Sequence, residues 1–409
     1  MHVRGSRPQE TTEALGHPIP IGPQPKFAER RLRGMNSEKA RVHPRFKNPW
    51  FTFGAGAVIA LGVGVPVALA ASDAPDPAPT VTVRVTQTAT PSAEPTAEPI
   101  LGPPVTAEPI ERKYLLLIYN PVLESKGGQR LVEYQNWGNP DILAAEYAAA
   151  LDMASHNIAV YTQADRIEID GYPVSDHGYH YTDEQMLACL SDPTHAACHD
   201  SSAEGGSGYN IDYPVMLRQN NICARFNAGE FDEVWMFGGP WMGFWEANQA
   251  GTKAIVTNGP IVVDSECQGR LNIMGFNYER GVAEMLEDFG HRSEGTLSQL
   301  LPNGGEQFAF FTKHEATDPG ESQCGNVHWA PNSVGDYDWG NTRTVTSACD
   351  DWLNYPDLTG ATSVVDCTTW ECDARAYHIW WLSHFPHVTG TAPDGAPNNW
   401  WALLLDTAR

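Results

Sequence analysis

The stretch Tyr114-Leu115-Leu116-Leu117-Ile118-Tyr119, closed by Asn120-Pro121, is a continuous apolar run ended by turn residues, the pattern of a strand buried on both faces. Asp141 then stands where it can cap a helix whose Leu143, Tyr147, Ala150, Leu151 and Ala154 recur at helical spacing. Strand character resumes from Ile158 to Tyr161, so the order is strand, helix, strand, a βαβ unit. The theme returns with Asp232 to Phe237, with Ala254-Ile255-Val256, and with Leu271 to Phe276 ahead of a long helical segment. The expected fold is therefore α/β: a mainly parallel or mixed sheet flanked by helices.

The final third reads differently, being rich in Trp, Gly, Asn and Asp with only scattered apolar runs such as Phe308 to Phe311. Loops and short strands are expected there, tied by disulfides. No period of about 20 to 50 residues repeats, which argues against a solenoid or propeller. One globular domain over residues 111–409 is the simplest division.

All eight cysteines, Cys189, Cys198, Cys223, Cys267, Cys324, Cys349, Cys367 and Cys372, fall within that domain. An even number suits disulfide bonding in an oxidising compartment, and the short separations single out Cys367 with Cys372 and Cys189 with Cys198 as local bridges. No CxxC pair occurs, against a zinc ribbon or a thioredoxin-like site.

Upstream the composition changes twice. Residues 72–110 are dominated by Pro, Ala, Thr, Val and Glu, with little to bury, and read as a disordered, extended stalk. Trp50 to Ala71 is 22 residues without a charge, long enough for a single apolar helix to cross a membrane. Its glycines and Pro66 dilute the hydrophobicity, and Ala68-Leu69-Ala70 ahead of Ala71-Ser72 offers a signal-peptidase site, so signal anchor and cleaved signal peptide both fit. Residues 1–49 carry ten Lys or Arg against four Glu and would stay cytoplasmic. Since the whole chain stands at −24, thirty net negative charges lie beyond residue 49. So acidic a domain is poorly suited to gripping phosphate backbones, which excludes nucleic acid as the expected partner. The expected location is the outer face of the cell membrane, single-pass with the C-terminal domain outside, or the secreted fraction. The expected partners are the membrane through residues 50–71, if uncleaved, and an extracellular polymer or surface protein.

In an open α/β sheet, ligands collect beyond the carboxyl ends of the strands. That rule nominates Asn120, then Trp241, Trp245 and Glu246, then Asn277 and Glu279. Glu246 and Glu279 beside two tryptophans offer the acid, the base and the sugar-stacking faces that a glycoside hydrolase needs, with Asn277 orienting substrate and Glu279 as acid or base. The plainer account makes Glu246 a surface residue and Glu279 a first-turn charge favoured by the helix dipole.

A second constellation, Glu287-x3-His291-x2-Glu294, puts metal-capable groups on neighbouring helix turns, with His328 and His384 in aromatic loops that can fold back onto it. His291, His328, His384 and Glu294 are the expected ligands of a divalent metal, zinc or calcium. The plainer account is a solvated helix face, because the helical wheel sets Met285, Leu286, Phe289, Leu297 and Leu300 opposite. If the helix runs unbroken, His291 lies about 18 Å along its axis from Glu279, so the two constellations are separate sites. A break at Gly290 would relax that separation.

Asp176-His177-Gly178-Tyr179-His180 and Asp336-x-Asp338-x2-Asn341 read more readily as turns than as ligand sets. GxSxG, P-loop, GxGxxG and HExxH patterns are absent, against an ordinary serine esterase, a nucleotide enzyme and the commonest zinc peptidases. Twelve of the thirteen tryptophans lie beyond residue 110, as filler beneath long loops or as sugar-stacking surfaces. The functional expectation is an extracytoplasmic, metal-using hydrolase of a glycan or peptide polymer; the competing class is a non-catalytic surface module that binds glycan or protein.

Overall fold

The apolar run that opens the domain forms the strand Ile110–Tyr119 (β1), buried from Tyr114 onward in the computed structural model, which describes residues 106–198 and 210–409. The basic segment, the apolar stretch Trp50 to Ala71 and the stalk up to residue 105 lie outside the described residues. Thr106 bridges Val388 and Ala107 donates to the His387 carbonyl at 2.9 Å, just ahead of β1.

Four more strands complete the sheet: Ala159–Ile169 (β2), Glu233–Gly238 (β3), Ala247–Ala250 (β4) and Leu271–Asn277 (β5). Their order is β2-β1-β3-β5-β4; the first four run parallel and β4 returns antiparallel along β5. The sheet is thus mixed through a single edge strand. Ala254-Ile255-Val256, expected as a strand, is loop; the strand comes earlier, at β4, because Glu246 to Ala250 pair with β5 while the later residues turn back over them. Central strands covered on both faces need apolar side chains in both directions, and β1 supplies them. Leu116 and Ile118 join Trp235, Phe237, Met274 and Phe276 on one face, whereas Leu115 and Leu117 join Val234, Met236 and Ile273 on the other.

The helices that matter for the site lie on the first of these faces. Pro140–Ala154 (α1) buries Tyr147, Ala150, Leu151 and Ala154 of the expected stripe together with Ala144, while Leu143 is only half-buried. Its cap is Asn139, whose Oδ1 accepts from the backbone N–H groups of Asp141 and Ile142, rather than Asp141; Pro140 occupies the first turn, and the Asp141 carboxylate pairs with Arg166 at 2.7 Å. Val282–Leu300 (α2) follows β5 and runs without interruption through Gly290, so of the two alternatives left open there the unbroken helix is the one observed. Ala374–Ser383 (α3) and Trp400–Leu405 (α4) come from the C-terminal third and close over α2.

That third is loop-rich, with two short two-stranded sheets, and its tryptophans fill space: Trp352, Trp370, Trp381, Trp400 and Trp401 are fully buried. Four disulfides form, Cys189–Cys198, Cys223–Cys267, Cys324–Cys349 and Cys367–Cys372, which includes both expected local bridges. This is consistent with an extracellular or secreted protein. Among the described residues no helix is long and apolar enough to cross a membrane.

Candidate metal centre

Five of the nominated residues, Glu246, Glu287, His291, Glu294 and His328, meet at one flank of the sheet. β4 is the edge strand, and Glu246 immediately precedes it, its carbonyl accepting from Gly275 N–H at 3.1 Å. α2 runs beside this edge and presents Glu287, His291 and Glu294 on one side, as helical spacing requires. The loop from Asn326 to Asn341 then crosses that face of α2 and brings His328 onto it.

The crossing is close because Gly290 has no side chain: a Cβ there would stand 2.4 Å from Val327 Cγ2. Glu294 Oε1 accepts from Val327 N–H at 3.3 Å, and Asn326 Oδ1 accepts from the His328 and Trp329 N–H groups, both at 3.0 Å. From α3, Tyr377 donates to Asn326 O at 2.7 Å and Trp381 to Gly325 O at 2.9 Å. The histidine is thereby positioned by backbone contacts on both sides.

The two imidazoles face each other through Nε2, 3.1 Å apart. Glu287 Oε1 lies 3.1 Å from His328 Nε2, and Glu246 Oε2 lies 3.6 Å from His291 Nε2. Each ring's other nitrogen meets a carboxylate: His291 Nδ1 faces Glu294 Oε2 at 3.3 Å, and His328 Nδ1 faces Asp336 Oδ1 at 3.3 Å. With each neutral ring's proton on the Nδ1 that faces Glu294 or Asp336, each Nε2 keeps a lone pair. In that tautomer two lone pairs and two carboxylates point at one place, and either a metal ion or a second proton on His291 supplies the positive charge that makes the arrangement favourable. Metal-bound histidines are held in this way, one nitrogen on the ion and the other on a carboxylate. Tetrahedral ligands with bonds near 2.0 to 2.2 Å stand about 3.3 Å from one another, close to the separations found. Glu287, His291 and His328 offer ligand atoms that all lie within 4.8 Å of one another.

The same crowding moves the proton affinities. Burial works against charging His291, but the bond to Glu294 and the fields of Glu246 and Glu287 outweigh it and lift the ring to about 9. Burial likewise opposes ionisation of Glu287, and its bond to His328 overcomes that and holds the carboxyl below its ordinary value. Asp288, the next residue, is raised by burial and by Glu246 and Glu287. Tyr337 caps the cluster, its ring 4.3 Å from that of His328.

The expected residues divide clearly. Among the proposed ligands, His291 and His328 converge, Glu294 sits behind His291 on Nδ1, and His384 is elsewhere, its Nε2 3.3 Å from Asp350 and its Nδ1 2.7 Å from the Trp380 carbonyl. Of the proposed catalytic groups, Glu246 belongs to the histidine cluster. Glu279 is exposed and exchanges bonds with Asn277 at 3.3 and 3.2 Å. Asn120 is built into the fold: its Oδ1 accepts from Val132 N–H at 3.1 Å and its Nδ2 donates to Glu168 at 3.0 Å.

Glu246 also lines a cavity of about 210 Å³ with Trp241, Asn277, Arg280, Glu284 and Asp288, whereas Trp245 is half-buried outside it. A larger groove of about 510 Å³, walled by Phe310, Trp352 and Tyr355, offers only Glu306 and Asp394 as carboxylates and no histidine. Glu287 carries the i, i+4 spacing to His291 that makes it a candidate ligand; Asp336, by contrast, has no signal in the sequence beyond its place in a turn. No protein-family model matches the chain, and no curated protein or solved structure matches it either.

Proposed function

We propose that this protein is an extracytoplasmic metal-dependent hydrolase acting on a glycan or peptide polymer, membrane-anchored or secreted through its apolar stretch, with Glu287, His291 and His328 as metal ligands. The observation that carries the reading is the pair of Nε2 atoms held 3.1 Å apart, each with its Nδ1 on a carboxylate. Two imidazoles and one carboxylate form a catalytic rather than a structural zinc set, since three protein ligands leave a position for water or substrate. Imidazole ligands favour zinc or a similar transition metal over calcium, which takes oxygen. The ion would polarise the bond to be broken and acidify a bound water.

Glu246 supplies the proton acceptor. It lies 3.6 Å from His291, is 39% exposed and therefore reachable, and is steered by Asn258, whose Nδ2 donates to Oε2 at 2.7 Å. The acidic composition, the disulfides and the tryptophan-filled loops suit a protein that works outside the cell.

Calorimetric titration of the chelator-treated protein with Zn2+ tests the centre. One equivalent should bind, and His328→Ala or Glu287→Gln should weaken it by at least about 100-fold, the upper end of what loss of a ligand's outer-shell partner costs. No binding, or binding indifferent to both substitutions, rejects the centre. Glu246→Gln should retain the metal and lose turnover on the peptide or glycan that the wild type cleaves. Tight glycan binding without turnover by the metal-loaded wild type would establish a binding module instead.

A further inference from the structure

The cavity beside the centre contains a carboxylate that the fold leaves unused. Asp288 is 9% exposed, lines the cavity, and has no hydrogen-bond or ion-pair partner among the described residues. Burying a carboxylate without a partner costs several kcal/mol, and folds do not ordinarily accept that cost at a position where Leu or Ala would serve the helix. Its surroundings sharpen the point. Glu246 and Glu284 share the same walls, against a single guanidinium, Arg280, which is exposed. Glu284 is already committed to the start of α2, its Oε2 accepting from Gly281 N–H at 3.1 Å, and Glu246 to Asn258. Asp288 alone has both oxygens free for a visitor.

We infer that this cavity is a recognition subsite for a primary ammonium group of the substrate, with Asp288 as its hydrogen-bonding counter-charge. The chemistry follows from what is present. An ammonium carries three N–H donors and one positive charge, and the cavity offers three carboxylates against the single, exposed guanidinium of Arg280. At about 210 Å³ the space accepts one sugar or amino-acid unit and no more. Trp241 and Phe244 provide the flat apolar wall against which such a unit packs.

Position makes the subsite useful. Asp288 adjoins the ligand Glu287 and lies one helical turn before His291, while Glu246 belongs to the cavity wall and the metal cluster at once. A unit anchored here by its amine would place its linkage toward Glu246. This part rests on the hydrolase reading; binding of the amine itself does not. A terminal peptide amine and an amino sugar share the required chemistry. A second metal ion is the rival occupant of such an acidic cavity, but no set of three groups drawn from Glu246, Glu284 and Asp288 gathers its ligand atoms within 4.8 Å, as Glu287, His291 and His328 do.

Calorimetry of the full chain with L-alaninamide and with glucosamine, each against its N-acetylated form, tests the inference with and without Zn2+. At least one amine should bind ten times more tightly than its acetylated form, and which one binds distinguishes peptide from amino sugar. Asp288→Asn, nearly isosteric, should remove that preference while Zn2+ affinity at the histidines stays within twofold. Glu284→Gln, which can still accept from Gly281, should weaken amine binding by a smaller factor and serves if Asp288→Asn does not fold. Equal binding of amine and acetylated forms, or an unaltered preference in both variants, overturns the inference. A second Zn2+ equivalent lost in Asp288→Asn overturns it in favour of a metal. Zn2+ titration alone reports on the histidine centre, so failure of one reading is distinguishable from failure of the other.

Discussion

Arg292 follows His291 directly yet points into the core, where both its amino groups meet the Glu233 carboxylate at 2.8 and 2.7 Å and both side chains are 1% exposed. Tyr161 and Trp235 donate to the same carboxylate at 2.9 and 3.3 Å, and the Leu404 carbonyl accepts from Arg292. The pair fastens α2 to β3 and so fixes the helix that carries Glu287 and His291. Removing one partner strands a charge in a dry interior, whereas replacing both with apolar groups of similar volume does not. Arg292→Ala should therefore cost about 3–5 kcal/mol in denaturant unfolding. The double change Glu233→Met with Arg292→Met should cost clearly less than the two single changes added together. Additive losses would mean that the two side chains act independently and the geometry misleads.

At the scale of elements, α2 explains both what the sequence makes legible and what it conceals. The βαβ opening and the strand–helix passage through Leu271 to Leu300 are readable because apolar periodicity is strong there. Gly290 is ambiguous in sequence, since glycine ends helices and also lets chains approach. Here it does the second, and only tertiary contact with Val327 reveals it. Glu246 is nominated by the strand-end rule, but its partnership with His291 depends on the antiparallel return of β4, which no local pattern encodes. His384 is misassigned for a related reason: its loop closes on Asp350, a contact between residues 34 apart in sequence. Gly290→Ala tests the close approach. An alanine favours a helix by about 1 kcal/mol over glycine, yet its Cβ must displace the short, branched Val327. Zn2+ affinity should fall more than tenfold, and Gly290→Ala with Val327→Ala should recover most of it. An unchanged affinity in the single variant would show that His328 is not positioned through this contact.

Across the whole molecule the four bridges are distributed so that one of them bears on the centre. Cys324–Cys349 spans 25 residues, and within that span lie His328, Asp336 and Tyr337, which together supply one ligand, its carboxylate support and the ring above it. Closing a loop of this length removes chain entropy worth about 3–4 kcal/mol from the unfolded state. It also limits how far the ligand-bearing loop can depart from α2 when the fold breathes. Cys189–Cys198 is set on the opposite face of the sheet, with Met186 and Leu187, and closes a loop that contributes nothing to the cluster. Replacing Cys324 and Cys349 by serine should lower stability by about the loop-closure amount and weaken Zn2+ binding by more than tenfold. The same change at Cys189 and Cys198 should lower stability and leave Zn2+ affinity within twofold. If both pairs affect the metal alike, the bridges act only through global stability; if neither does, the hydrogen bonds from Tyr377 and Trp381 to residues 325 and 326 suffice to hold His328 in place.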